Sequence, residues 1–120
     1  MLHMRIHSAI LALSSLCLVA GCAYETPIQR YSESASKFNP PPVLMSHNIP
    51  DKDIYRFFVQ GATGYVPISS CVEYAEEKAA KFCERQGKGM LLLGQRTSNP
   101  IPYPGNFPKA EIVFACVDKK

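Results

Sequence analysis

Apolar residues along the chain follow patterns that predict both strands and a helix. Residues 54–60 alternate closely enough for a half-buried strand with Tyr55, Phe57 and Val59 on one face. Residues 70–86 instead carry apolar side chains at helical spacing, which predicts an amphipathic helix. The apolar stripe along that helix consists of Val72, Ala75, Ala79, Phe82 and Cys83.

The ends of this helix can be placed from the residues that flank the stripe. Ser70 and Glu73 have the spacing of a capping box, in which a serine hydroxyl and a glutamate satisfy backbone amides at a helix start. Gly87 is suited to the left-handed conformation that commonly ends a helix. The helix is therefore predicted over 70–86, preceded by a turn and a short strand at 65–66.

Two apolar runs after the helix, residues 90–93 and 110–117, predict two further strands. Ile112, Phe114 and Cys116 share one face of the second run. The resulting order of strand, short strand, helix, strand and strand predicts a small α/β (α+β) domain of two layers. We expect a mostly antiparallel sheet of about four strands that is covered by one helix and stapled by a disulfide.

The stretch before this domain has a different composition. Residues 23–53 contain scattered serines, three consecutive prolines at 40–42 and few apolar side chains. Consecutive prolines favour an extended conformation, and low apolar content leaves little burial to offset the entropy of ordering. We therefore predict a flexible Pro/Ser-rich tether over 22–53 and a folded domain over 54–120. The apolar exception at 43–45 could add a short edge strand.

The first 21 residues have the features of an export signal. Arg5 supplies a positive charge, and the apolar run at 9–20 is shorter than the roughly 20 residues that a membrane-spanning helix requires. The run ends in Leu18-Val19-Ala20-Gly21-Cys22, which resembles the lipobox of bacterial lipoprotein precursors. The resemblance implies cleavage before Cys22 and a diacylglyceryl group on its sulfur. Because Ala23 rather than aspartate follows, it also implies the periplasmic face of the outer membrane.

The succession of signal, proline-rich segment and disulfide-stapled domain is also similar in layout to small envelope-stress sensor lipoproteins of the Rcs type. This likeness is one of layout and implies no functional residue. Removing residues 1–21 leaves twelve basic and ten acidic residues, a formal net charge of +2. Nucleic acid is therefore not expected as a partner, because phosphate binding needs clustered cations.

The cysteine positions predict one disulfide. Besides Cys22, the mature chain keeps Cys71, Cys83 and Cys116, in a compartment where disulfides persist. Cys71 and Cys83 are about 18 Å apart along the helix at a rise of 1.5 Å per residue, so they cannot bond to each other. If the two strands after the helix pair antiparallel, Cys116 ends beside Cys83. We predict a Cys83–Cys116 bond, with Cys71 as the remaining thiol.

The sequence contains no motif typical of catalysis or metal binding. Gly-x-Ser-x-Gly, His-Glu-x-x-His and Cys-x-x-Cys are all absent, and His47 is the one histidine of the mature chain. We therefore expect no cofactor, no metal site and no enzymatic activity. The expected function is that of a membrane-anchored envelope lipoprotein acting as a structural or protein-interaction module. The alternative is a thiol-dependent redox or envelope-stress-sensing protein that uses Cys71, since a helix N-terminus favours the thiolate.

The apolar second face of the last strand indicates where a partner would bind. Val113 and its alternate neighbours lie opposite the face that meets the helix, and one helix covers only one side of a sheet. We expect an envelope protein or a second copy of the chain to contact Val113, together with Tyr103 and Phe107 of the proline-rich loop. The alternative is that residues 43–45 or the loop itself cover this face and complete a private core.

Overall fold

The computed structural model describes residues 22–98 and 107–119, with only the backbone at Cys22 and Ala23. The predicted export signal and Tyr103 lie outside these residues. In chain order the elements are β1 (Cys22–Glu25), β2 (Gln29–Arg30), β3 (Ile54–Gly61), α1 (Ile68–Glu84), β4 (Lys88–Thr97) and β5 (Lys109–Asp118). Single 3-10 turns at Tyr31–Glu33 and Asp51–Asp53 lie between β2 and β3.

The strands form one antiparallel sheet packed against one helix, which confirms the predicted α+β architecture. The sheet has five strands in the order β1-β3-β5-β4, and β2 pairs with β3. Since β5 occupies one edge of β3, β1 and β2 share the other edge of β3. The predicted strands at 54–60 and 110–117 are present, and β4 extends the predicted 90–93 at both ends by pairing with β5. Residues 65–66 form a turn rather than the predicted short strand.

Helix α1 begins two residues earlier than predicted. Pro67 is extended and precedes the first helical residue, which leaves Ser70 inside the first turn. The predicted capping box is therefore wrong, because an N-cap residue must itself lie outside the helix. The helix also ends two residues earlier than predicted, at Glu84. The left-handed conformation predicted for Gly87 is confirmed by its φ of 72°, and its amide donates to the Glu84 carbonyl at 2.9 Å in the turn after the helix. Among the described residues, no helix has the length and apolarity needed to span a bilayer.

The predicted apolar faces meet between the helix and the sheet. Tyr55, Phe82 and Phe114 contact one another, with ring centroids 4.8 to 6.1 Å apart. Aromatic contacts of this kind add to the free energy gained by burying the rings. The buried residues of this helix-side core are Phe57, Val59, Cys71, Ala75, Ala79, Cys83, Ala110, Ile112, Phe114 and Cys116.

The second face of the sheet is covered by the chain's own residues between β2 and β3. Val113 has no exposed surface, so its predicted role in binding a partner is wrong. The alternative, in which the chain covers this face itself, is correct. Helix α1 packs on one face of the sheet, and the segment between β2 and β3 covers the other face. The buried residues of this second core are Ile54, Leu93, Val113 and Ala115, and Tyr31, Leu44, Ile49 and Val117 pack against them.

Residues 22–53 thus belong to the fold, and the prediction of a flexible tether there is wrong. Cys22 pairs with Gly61 and Gln29 pairs with Arg56, which fills the edge of β3. The Met45 amide donates to the Leu93 carbonyl at 2.9 Å, although residues 43–45 do not form the edge strand considered above. Proline content and few apolar residues indicated a linker, but backbone pairing at a sheet edge needs neither periodicity nor many apolar side chains.

Gly94 of β4 lies against this covering segment, and a side chain there is expected to displace it. A Cβ at Gly94 would lie 2.6 Å from the Val43 carbonyl oxygen and 3.0 Å from Leu44 Cδ2. We expect Gly94→Ala to lower the free energy of unfolding in urea by about 1–3 kcal/mol, because the clash is with backbone. Gly89→Ala is the matched control, since its Cβ would meet nothing closer than 3.8 Å. Equal losses for the two variants would contradict the prediction.

Candidate functional site

A pair of opposite charges is buried on the second face of the sheet. Arg56 lies on β3 and Glu111 lies on β5, where they are diagonal neighbours in the antiparallel register. Their side chains are 8% and 0% exposed, and Arg56 Nη1 lies 3.1 Å from Glu111 Oε2. Burial of a carboxylate is costly unless the charge is paired and its oxygens accept hydrogen bonds.

The segment that covers the second face supplies the remaining hydrogen bonds. The Ser36 hydroxyl donates to Glu111 Oε2 at 2.6 Å, and the Lys37 amide donates to Oε1 at 2.8 Å. Arg56 Nε donates to Ser34 Oγ at 3.1 Å. We refer to Ser34, Ser36, Arg56 and Glu111 as the buried polar cluster. Within the described residues, no buried side-chain nitrogen or oxygen lacks a partner.

The buried polar cluster positions a segment rather than a reactant. Both Glu111 oxygens accept hydrogen bonds, and the side chain has no exposed surface through which a substrate could approach. Sequence reasoning missed this cluster. The available indication was that each of the two predicted strands, 54–60 and 110–117, contains a single charged residue, Arg56 in one and Glu111 in the other, with opposite signs.

The predicted disulfide is present between Cys83 and Cys116, whose Cα atoms are 5.2 Å apart. Cys83 is in the last turn of α1 and Cys116 is near the end of β5, so the antiparallel pairing of β4 and β5 brings them together as predicted. Cys71 is in the first turn of α1 and is fully buried in the helix-side core. Thiol–disulfide exchange requires access to the attacking sulfur, which this burial denies.

Two other predicted site residues lie at one end of the sheet. Cys22 is the first residue of β1 and pairs with Gly61, the last residue of β3. The Gly61 amide donates to the Pro108 carbonyl at 2.8 Å, which brings Phe107 to the same end. Phe107 is 37% exposed. The structure therefore brings Phe107 near Cys22 and away from Val113 in the second core.

The open surface clefts that the described residues line include two of similar volume. One, of about 290 Å³, is lined by residues that include Asp53, Lys88, Cys116 and Asp118. The other, of about 280 Å³, lies between the β1–β2 edge and α1 and includes Lys78. Among the described residues, no group of three histidine, cysteine, aspartate or glutamate side chains is arranged to hold a metal ion.

Comparisons of the chain with protein-family models, with curated proteins and with solved structures found no match.

Proposed function

We propose that the chain is a lipid-anchored protein of the bacterial envelope that acts as a structural or protein-interaction module, on the periplasmic face of the outer membrane. The observation that carries this proposal is the lipobox-like stretch 18–22, which follows an apolar run with a positive charge before it, at Arg5. This stretch predicts cleavage immediately before Cys22 and a lipid on the sulfur of that residue.

The burial of the cysteines favours a binding role over the thiol-dependent alternative. Cys71 has no exposed surface, and Cys83 and Cys116 are bonded to each other. A redox protein needs a sulfur that its partner can reach, because exchange proceeds through attack by an exposed thiolate. In this fold the disulfide instead joins the helix to the sheet, which supports a stabilising role.

The closure of both sheet faces restricts where a protein partner could bind. A partner would have to use outer surfaces, since the second face is occupied by the residues between β2 and β3. Exposed apolar side chains remain there, including Val43 at 87%, Met45 at 54% and Leu91 at 38%. Single exposed apolar residues are ordinary on protein surfaces, so the lipid attachment is the part of the proposal to test first.

We expect intact-mass analysis of the protein purified from bacterial membranes to show loss of residues 1–21 and addition of acyl groups at Cys22. Cys22→Ala should abolish both changes, because the thioether bond forms on that sulfur and cleavage follows lipidation. The matched control is Cys17→Ala, which removes a cysteine from the apolar run without altering the lipobox-like stretch. An unchanged mass shift in Cys22→Ala would contradict the proposal.

A further inference from the structure

The geometry points to a membrane-docking surface at the end of the sheet that bears Cys22. We assign to it the exposed aromatic residues Tyr24, Tyr65 and Phe107, and its occupant is the headgroup region of the bilayer that holds the lipid anchor. This inference rests on the proposed lipidation of Cys22 and goes beyond it. Lipidation alone would leave the domain free in orientation, whereas docking gives the domain one face toward the membrane.

Gly61 connects the three chain segments that carry these aromatic residues. It pairs with Cys22, and its amide donates to the Pro108 carbonyl. A Cβ at Gly61 would lie 2.5 Å from Pro108 Cγ and 3.1 Å from Val66 Cβ, so both residues pack directly against it. Phe107 adjoins Pro108, Tyr65 adjoins Val66, and Tyr24 follows Cys22 by two residues. Tyr24, Tyr65 and Phe107 therefore lie at the same end of the sheet as the backbone of Cys22.

These side chains are exposed although they are large and apolar. Tyr65 is 66% exposed, Tyr24 is 50% exposed and Phe107 is 37% exposed. Tyrosine is enriched where proteins meet the headgroup region, because its ring is apolar and its hydroxyl is polar, and phenylalanine is common on the apolar faces that enter this region. Since Cys22 is itself a strand residue paired with Gly61, no intervening linker separates the lipid attachment from this surface.

The distribution of charge distinguishes this end from the opposite end. Residues 60–72, which include the turn after β3 and the start of α1, contain no charged side chain. Lys109, at the start of β5, is exposed and has the sign that anionic lipids attract. At the opposite end, where β3 and β4 begin and β5 ends, the charged residues include Asp51, Lys52, Asp53, Lys88, Asp118 and Lys119.

The chain contains no tryptophan, so a single introduced tryptophan reports by its fluorescence how close its position lies to the membrane. Tyr65→Trp and Phe107→Trp are purified from bacterial membranes as lipidated proteins and reconstituted in phosphatidylethanolamine–phosphatidylglycerol vesicles containing a lipid brominated in its acyl chains. Asp118→Trp is the control, because the length of β5 places it about 30 Å from Lys109 at 3.3 Å per residue. Circular dichroism and the non-reduced disulfide verify that each variant is folded.

We expect brominated lipid to quench the tryptophan of Tyr65→Trp and of Phe107→Trp at least about twofold more than that of Asp118→Trp, because interfacial residues lie within about 5–10 Å of the acyl boundary. Equal quenching in all three proteins, with every protein bound to vesicles, would overturn the docking surface and leave lipidation intact. If mass analysis shows no acyl group and the proteins do not sediment with vesicles, the proposed function fails, and this inference fails with it.

Discussion

Replacing Glu111 with alanine is expected to lower the free energy of unfolding by about 3–5 kcal/mol, because it leaves the Arg56 guanidinium buried without its counter-charge. The Ser36 hydroxyl and the Lys37 amide lose their acceptors in the same change. Buried donors without acceptors are costly. Urea unfolding followed by circular dichroism measures the loss, and release of the segment that covers the second face should increase amide exchange in residues 31–45.

The control separates the ion pair from the volume of its side chains. A double variant, Arg56→Met with Glu111→Leu, removes both charges and keeps apolar volume in the second core. It should lose clearly less stability than Glu111→Ala, because the Ser36 and Lys37 donors lose their acceptor in both variants, whereas only Glu111→Ala also leaves an unpaired charge buried. If the double variant is as unstable as Glu111→Ala, the unpaired charge is not the cause of the loss.

Removing the disulfide with Cys83→Ala and Cys116→Ala together is expected to cost about 3–4 kcal/mol of unfolding free energy. The bond closes a loop with a sequence separation of 33 residues, and a loop of this length restricts the unfolded chain by that amount on the entropy estimate. Small domains are stable by only about 5–15 kcal/mol, so the loss is a large share of the total. Thermal and urea unfolding measure it.

A second test compares the unfolding of the wild type and of the double cysteine variant with and without reductant. Reductant should destabilise the wild-type protein and leave the double variant unchanged, since that variant has no bond to reduce. Cys71→Ala is the matched control, because Cys71 is also buried in α1 but is not part of the disulfide. That variant should keep the full response to reductant. Unfolding of the wild type that is unaffected by reductant would contradict the stabilising role of the bond.

Local periodicity determined the helix, the two central strands and the faces they bury. Tyr55, Phe57 and Val59 alternate as an isolated strand would, and the stripe of α1 repeats at 3.6 residues, so neither pattern depends on distant contacts. The Cys83–Cys116 bond followed from the same information, because a short connection after a helix restricts the direction of the next strand. Gly87 was likewise predictable, since its left-handed conformation is a property of the residue itself.

Only the tertiary structure showed where residues 22–53 lie and which residues cover the second face of the sheet. Ser36 and Glu111 are 75 residues apart in the chain, and no local pattern pairs a serine with a carboxylate at that distance. The edge of β3 offers backbone donors and acceptors to any extended segment, so β1 and β2 form without strand-like alternation. Val113 is a core residue because the segment between β2 and β3 lies over it. That segment has few apolar side chains, but three of them, Tyr31, Leu44 and Ile49, are enough to pack against the second face of the sheet.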